Sequence, residues 1–542
     1  MPMSTPEGFV DIDTIPQMLL KRVDVVTGGA SAVYGSDAIV GVANFVTDTG
    51  FNGVKFNIQK GISTYGDGGT VDMGLAGGFK FFDDRAHILL GATWRKDDGI
   101  DSKFARPWGN DVRTLQGAGT AASPYFPMNG ARQNNVTFGG KINSGVLADQ
   151  QFLAGGTLGA FNHGSKSCAG GTIPTNLPYE CGGDGGYYNG QIRATLDMKQ
   201  FFARLDLDIT DNLQFNQSIS YVDKYSVGTV NWIANQSITI NRDNAFLPAS
   251  ANPAQSPLNT INVPTVNGGN PNLKPEIGNT ISLGAVFRPT SKLSLAIDYF
   301  DIKVKNFIYL VQGNSTEPQQ VCYDSKGASP YCALVARGLG IYDANAANAL
   351  SSANAVTTWY QLPINIAEQT TYGADIELNY RTSLNHQPLN LRVMATWQPH
   401  VRFKQAGVVD NDYAGAAFGS NGVQATPKWR VTAFLDYKVT DNLSISISER
   451  WRAKLHYHSS PAVVVAAPDT IKDVAYTNLG ASLDVPMGRA KAQMFLNISN
   501  LFNVTPPVAG FWGNPNPGQF GEFVAGDDVI GRYFTFGIRG KF

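Results

Sequence analysis

Four cysteines fall in two local pairs, Cys168 with Cys181 and Cys322 with Cys332. Each pair sits among Gly, Ser, Asn and Tyr and encloses a short loop. Three pairings are possible for four cysteines. The local ones need no long-range closure and read as two disulfides stapling loops outside the cytosol. A zinc site is the rival chemistry, but the two-residue cysteine spacing and nearby paired histidines that it favours are missing. His456 and His458 would share a face on a strand, either as ligands of a metal chelate or as an ordinary rim pair. The Gly28-Gly29 turn lacks the Lys-Ser/Thr that closes a P-loop, and no Gly-x-Gly-x-x-Gly is present there. Small residues that let backbones pack closely are the simpler account. No Gly-x-Ser-x-Gly element or Ser/His/Asp arrangement supplies a nucleophile with a positioned base. No enzyme, metal or cofactor is therefore expected. Tyr187-Tyr188, Trp232, Tyr331, Trp359-Tyr360 and Phe511-Trp512 offer ring faces to a sugar or aromatic ligand. Packing, or marking of a membrane interface, is the plainer role for these rings.

The elements that must hold these loops alternate with a period of two. Ala203, Leu205, Leu207 and Ile209 face away from Arg204, Asp206, Asp208 and Thr210. Leu213, Phe215, Ile219 and Tyr221 resume the apolar face after the Asp211-Asn212 turn. Trp429, Val431, Ala433, Leu435 and Tyr437 oppose Arg430, Thr432, Asp436 and Lys438. Leu443, Ile445 and Ile447 oppose Ser444, Ser446, Ser448 and Arg450. Such alternation builds strands with one apolar and one polar face. Further tight turns fall at Asp83-Asp84, Ser291-Lys292, Asn385-His386 and Met487-Gly488, where Asp, Asn, Ser and Gly suit the geometry. Between hairpins lie long connections, roughly 100–190, 223–275, 306–368, 402–425, 453–473 and 503–530. Tight turns at one end and long loops at the other define an up-and-down barrel with unlike rims, as in transmembrane barrels.

The totals agree. At 542 residues a soluble chain would need several domains, yet no linker or composition shift divides it. No run approaches the roughly 18 apolar residues of a spanning helix, which barrel strands do not need. Aromatics at 11% supply interface girdles, and the net charge of -1 indicates no bulk attraction to nucleic acid. The length accommodates a barrel of about 22 strands, the class whose lumen is plugged, or a porin of 16–18.

Ahead of the first barrel-like strand, Gly53 to Lys60, the pattern predicts a short helix, a buried strand, a Gly-rich turn and another strand. This stretch resembles the last part of the plug domain of TonB-dependent outer-membrane receptors. The resemblance rests on Arg22, Val23, Asp24, Val25, Gly28, Gly29, Tyr34, Gly35, Ala38, Gly41, Val42 and Asn44. Asn270-Pro271-Asn272-Leu273-Lys274-Pro275-Glu276 and Asn500-Leu501-Phe502-Asn503 resemble two further elements of the family. The last strand, with Phe534, Phe536, Ile538 and the terminal Phe542 on one face, resembles the assembly signal of bacterial outer-membrane barrels.

The resemblance implies an all-β transmembrane barrel over residues 51–542, with the C-terminal part of a plug over 1–50. It implies an outer-membrane location, in contact with lipid and with the barrel assembly machinery. It also implies active uptake of a scarce small solute (an iron chelate, cobalamin or a glycan), energised by the TonB complex. A passive porin is the alternative. A complete member would carry a signal peptide, a TonB box and the first part of its plug before Met1, so the chain reads as an N-terminally truncated member.

Overall fold

Residues 12, 15–27, 41–110, 113–116, 120–122, 124–168, 171–173, 175, 178–186, 190–228, 264–313, 316–343, 345–349, 351–417, 426–457, 470–488, 490–507, 524 and 526–542 are described in a computed structural model. A hairpin of β1 (Leu20–Thr27) and β2 (Gly41–Thr47) forms a sheet of its own. The barrel then begins with β3 (Gly53–Ser63), β4 (Thr70–Phe81) and β5 (Ala86–Asp97). It continues through β6 (Thr195–Thr210), β7 (Leu213–Val227), β8 (Ile277–Thr290), β9 (Leu293–Gln312) and β10 (Val356–Leu384). It ends with β11 (Gln387–Gln405), β12 (Trp429–Lys438), β13 (Leu443–Arg452), β14 (Val474–Met487), β15 (Ala490–Ser499) and β16 (Tyr533–Lys541). Short strands at Thr265–Asn267, Val335–Arg337 and Val409–Asp412 join the same closed barrel.

Closure is made where the last long strand meets the first. β16 pairs with β15 on one side and β3 on the other, both antiparallel. The Phe542 amide donates to the Val54 carbonyl at 2.8 Å, and the Phe542 and Phe56 rings stack 6.0 Å apart. Gly540 makes this possible, because a Cβ there would collide with the Phe56 ring.

The tight turns are as expected. Asp83, Asp84, Asn385 and His386 all adopt positive φ, between 51° and 66°. The two faces also separate as expected. Ile219, Tyr221, Leu283 and Phe287 point outward and are 60 to 67% exposed, whereas Arg204 points inward and is paired with Asp206 at 2.6 Å. An outward aromatic group marks one level of the wall: Tyr372, Trp397 and Trp429 have ring centroids 6.3 to 6.4 Å apart. This is the arrangement of an interface girdle.

Three expectations need correction. The described residues supply fourteen long barrel strands, not about 22. Much of the length goes instead into strands that outrun the roughly 9–11 residues needed to span a bilayer: β9 has 20 residues and β10 has 29. Residues 306–312 and 356–368, expected as loop, are therefore strand. They are held beyond the membrane by a cluster of Val311, Leu334 and Val335 around the Cys322–Cys332 bridge. Finally, β1 was expected to be buried, yet Val23 and Val25 are exposed. Only Leu19, just before the strand, is deeply buried, against Phe51, Ala76 and Leu89.

The wall around Leu19 is built from small residues. A Cβ at Gly78 would lie against the Phe51 carbonyl, which also faces His87 Nε2 at 2.9 Å. Gly78→Val should lower the midpoint of heat-modifiable gel migration, at a cost of about 1–3 kcal/mol for overpacking. Gly50→Ala, with nothing within 4 Å of the added Cβ, should leave it unchanged. Equal midpoints for the two variants would contradict this packing.

Candidate functional site

The described parts of the long loops between β5 and β6 and between β9 and β10 are folded structures. Between β5 and β6, Ala131–Gln133 pairs with Tyr179–Cys181. Ala131, Ile173 and Tyr179 form a small core beside the Cys168–Cys181 disulfide. The second disulfide, Cys322–Cys332, ties a helix α1 (Thr316–Asp324) to the turn that follows it. Both expected pairings are thus present, with Cα separations of 5.7 and 5.1 Å. Loop cores of this kind carry no period of two or 3.6, so periodicity gave no signal for them.

Polar contacts hold the loops to the rim. Arg106, 1% exposed, grips both oxygens of Asp67 at 2.6 and 2.9 Å. It also donates to the Ile530 carbonyl and lies over the Tyr65 ring, joining three separate loops. Burial acts to raise the Asp67 carboxyl, but hydrogen bonds from Arg106 and Ser63 outweigh it and hold the group below its ordinary value. Burial likewise opposes ionisation of Glu180, which hydrogen bonds from Asn134, His163 and Gly164 overcome.

The aromatic candidates divide. Tyr331 is 1% exposed, donates to the Ala406 carbonyl, and has its hydroxyl pushed up to about 12 by burial. Trp359 and Tyr360 pack against the same cluster, so packing accounts for all three. Tyr187, Tyr188, Trp232, Phe511, Trp512 and His458 lie outside the described residues. So do Gly28, Gly29, Tyr34 and Gly35 of the N-terminal motif. Arg22, Val23 and Asp24 lie on β1, and Gly41 and Asn44 on β2, with Asp24 directly opposite Asn44. Phe534, Phe536 and Ile538 lie on β16; Phe536 and the terminal Phe542 are exposed.

Inside the barrel, polar side chains line two unlike regions. The lower cavity, about 500 Å³, is walled mostly by uncharged polar groups such as Asn57, Gln59, Asn390, Ser446 and Asn497, with Asp436, Lys438 and Arg539 among them. The upper one, about 840 Å³, is charged and includes Val25 of the hairpin. Asp375 and Glu377, which alternate with Ile376 and Leu378 along β10, line it. Glu377 pairs with Arg392 at 3.1 Å, and Arg452 pairs with Asp527 at 2.5 and 2.7 Å. This lumen offers charge and hydrogen bonds to a passing solute. Outside it, Thr370, His400 and Asp412 form a hydrogen-bonded row (3.2 and 2.8 Å). Thr370 sits in mid-ladder opposite Arg402, a position that orients the imidazole beside Tyr372.

A closed barrel with an apolar exterior, a polar lumen and an N-terminal hairpin lining that lumen defines the class of outer-membrane transport receptors. A family model described as "TonB dependent receptor-like, beta-barrel" matches residues 29–501, and the chain belongs to that family. It is similar to the ferric enterobactin receptor of Pseudomonas aeruginosa, solved with enterobactin, at 15% identity and TM-score 0.49, over 99% of this chain and 88% of that one. It is also similar to the siderophore receptor PirA of Acinetobacter baumannii, at 12% identity and TM-score 0.49, over 98% and 86%.

The two loop carboxyls set a pH dependence. Both titrate below their unfolded values of 3.8 for Asp67 and 4.5 for Glu180. Their contribution is complete above those values and is lost as pH falls through the folded ones. The thermal midpoint of the loops should hold steady from pH 7 to 5 and fall below about pH 4. A midpoint that rises on acidification would refute these contacts.

Proposed function

We propose that this receptor takes up a scarce small solute actively, drawing on the TonB complex for energy. The supporting observation is the hairpin within the lumen: Met18 lies against Gly74 and Leu19 against Gly91, on the inward face of β4 and β5. In this reading residues 1–50 are the C-terminal part of a plug, and residues 51–542 are the barrel that it occludes. A lumen of this kind leaks unless it is filled, so the plug must be displaced to open a path. The outer membrane holds no proton gradient, and the work is done by TonB on an N-terminal box.

The disulfide-stapled loops stand at the entrance, where a solute is first met. They keep a preformed surface and lower the ordering cost of binding. The iron chelate, cobalamin and glycan classes are the candidate solutes. The amide and hydroxyl groups of the lower lumen, with Asp436, Lys438 and Arg539 beside them, suit passage of a polar solute.

Uptake decides the matter. Cells expressing the receptor should accumulate a ferric chelate, cobalamin or a glycan, and deleting TonB should abolish that accumulation. Accumulation equal in both backgrounds, with a large steady conductance in planar bilayers, would instead describe a passive porin.

The terminal strand has a separate proposed role as the assembly signal, carried by Phe534, Phe536, Ile538 and Phe542. Its exposed rings and its place at the closing seam support this. Deleting Phe542 should cut the amount of folded barrel in the outer membrane several-fold. Normal insertion of the deletion variant would count against the signal.

A further inference from the structure

The charges of the upper cavity are sorted by sign around the wall, a pattern that only the strand register displays. At one level, Asp298 on β9 stands opposite Asp375 on β10, and Asp375 opposite Thr396 on β11. Thr396 stands opposite Arg430 on β12, and Arg430 opposite Arg452 on β13. The row thus places two adjacent acids, one hydroxyl and two adjacent guanidinium groups side by side. One level below, Glu377 lies on the acidic side and Arg450 on the basic side.

Like charges directly opposite one another on neighbouring strands destabilise a sheet. Here that occurs twice in one row. Arg452 is neutralised by Asp527, and Glu377 by Arg392. Four charges remain. Among the described residues, Asp298 and Asp375 have no cationic partner, although Thr396 donates to Asp375 at 2.8 Å. Arg430 has no carboxylate partner among them either, and Arg450 meets only the Tyr476 ring, 5.4 Å away. Acid and base are separated by the intervening strand β11, with strands about 4.8 Å apart. Asp375 and Arg430 thus stand on strands about 10 Å from one another. Arg450 also lines the neighbouring cavity of about 440 Å³ beneath the rim, so it lies on the way between the two spaces.

We propose that this cavity is a holding site for a solute that carries both an ammonium and a carboxylate, such as an unblocked peptide. Arg430 and Arg450 take the carboxylate through paired N–H donors, while Asp298 and Asp375 take the ammonium. A solute with one charge sign satisfies one wall and leaves the other unpaired. Val25 of β1 lines the same space, so movement of the hairpin opens it. The inference rests on the TonB-driven uptake proposed above and adds a zwitterionic class to the iron chelate, cobalamin and glycan named there.

Tri-alanine serves as the probe, titrated calorimetrically into the full chain in detergent. N-acetyl-tri-alanine and tri-alanine amide each remove one charge. The zwitterion should bind about tenfold more tightly than either capped form, the scale set by one charged hydrogen-bonded contact. Arg430→Gln with Arg450→Gln should erase the preference for a free carboxylate but keep that for a free ammonium. Asp298→Asn with Asp375→Asn should do the reverse, and Arg450→Lys should retain most of the wild-type selectivity. An unchanged melting midpoint shows that each variant is folded. Equal affinity for the three peptides, or no measurable heat for any, overturns the inference. So does a variant that shifts the midpoint and leaves selectivity intact, because the charges then serve packing against the hairpin. TonB-dependent uptake that persists without peptide selectivity refutes only the zwitterion, whereas loss of TonB dependence refutes the receptor reading itself.

Discussion

Hydrocarbon offers no partner to a backbone amide or carbonyl, and most features of this molecule answer that one deficit. Each strand must find neighbours on both sides, and the first and last must find each other. Here the answer is β16, shared between β15 and β3, with Gly540 removing the side chain that would hold Phe56 away. Once the ladder closes, the pleat assigns every second residue to lipid and every other one to the lumen. The apolar exterior and the polar interior are thus two consequences of one hydrogen-bonding requirement.

The polar interior creates the next problem, since a wide wet lumen is a leak. Small inward residues on β4 and β5 let the segment around Leu19 seat directly on the wall. At the other end, the loops are held by buried ion pairs and disulfides in place of lipid, as with Arg106 gripping Asp67. Removing either partner of such a contact strands a charge, so the rim is stiff where it is joined. Selectivity can then reside in the lumen wall, where Arg430 and Asp375 stand on opposite sides of β11.

Much of this architecture was visible in the sequence, for a physical reason. Lipid on one face and water on the other impose a strict period of two, as in Leu205 to Ile209 and Leu443 to Ile447. The long connections and tight turns fall short of delimiting the fourteen long strands of the described residues, because residues 64–69, the short connection between β3 and β4, were not among them; the figure of about 22 came from the size of plugged barrels as a class. The alternation of Asp375 and Glu377 with Ile376 and Leu378 is enough by itself to turn the two acids toward the lumen. Where lipid stops, the pattern stops, which is why the upper parts of β9 and β10 read as loop. The core around Ala131, Ile173 and Tyr179 was equally hidden, because its members are brought together by irregular backbone. The sorted charges of the upper cavity depend on register across β9 to β13, which span residues 293 to 452. A one-dimensional pattern holds no information about which residue faces which across strands.

The direct test is solvent contact along β7. Every native cysteine is in a disulfide, so single cysteines can be introduced and spin-labelled one at a time from position 213 to 221 in a bilayer. Labels at Phe215 and Ile219 should relax with oxygen, and labels at Asn216 and Ser218 with a water-soluble nickel chelate. A profile without that alternation, or one in which both faces meet only the chelate, would contradict a barrel whose outer face touches acyl chains.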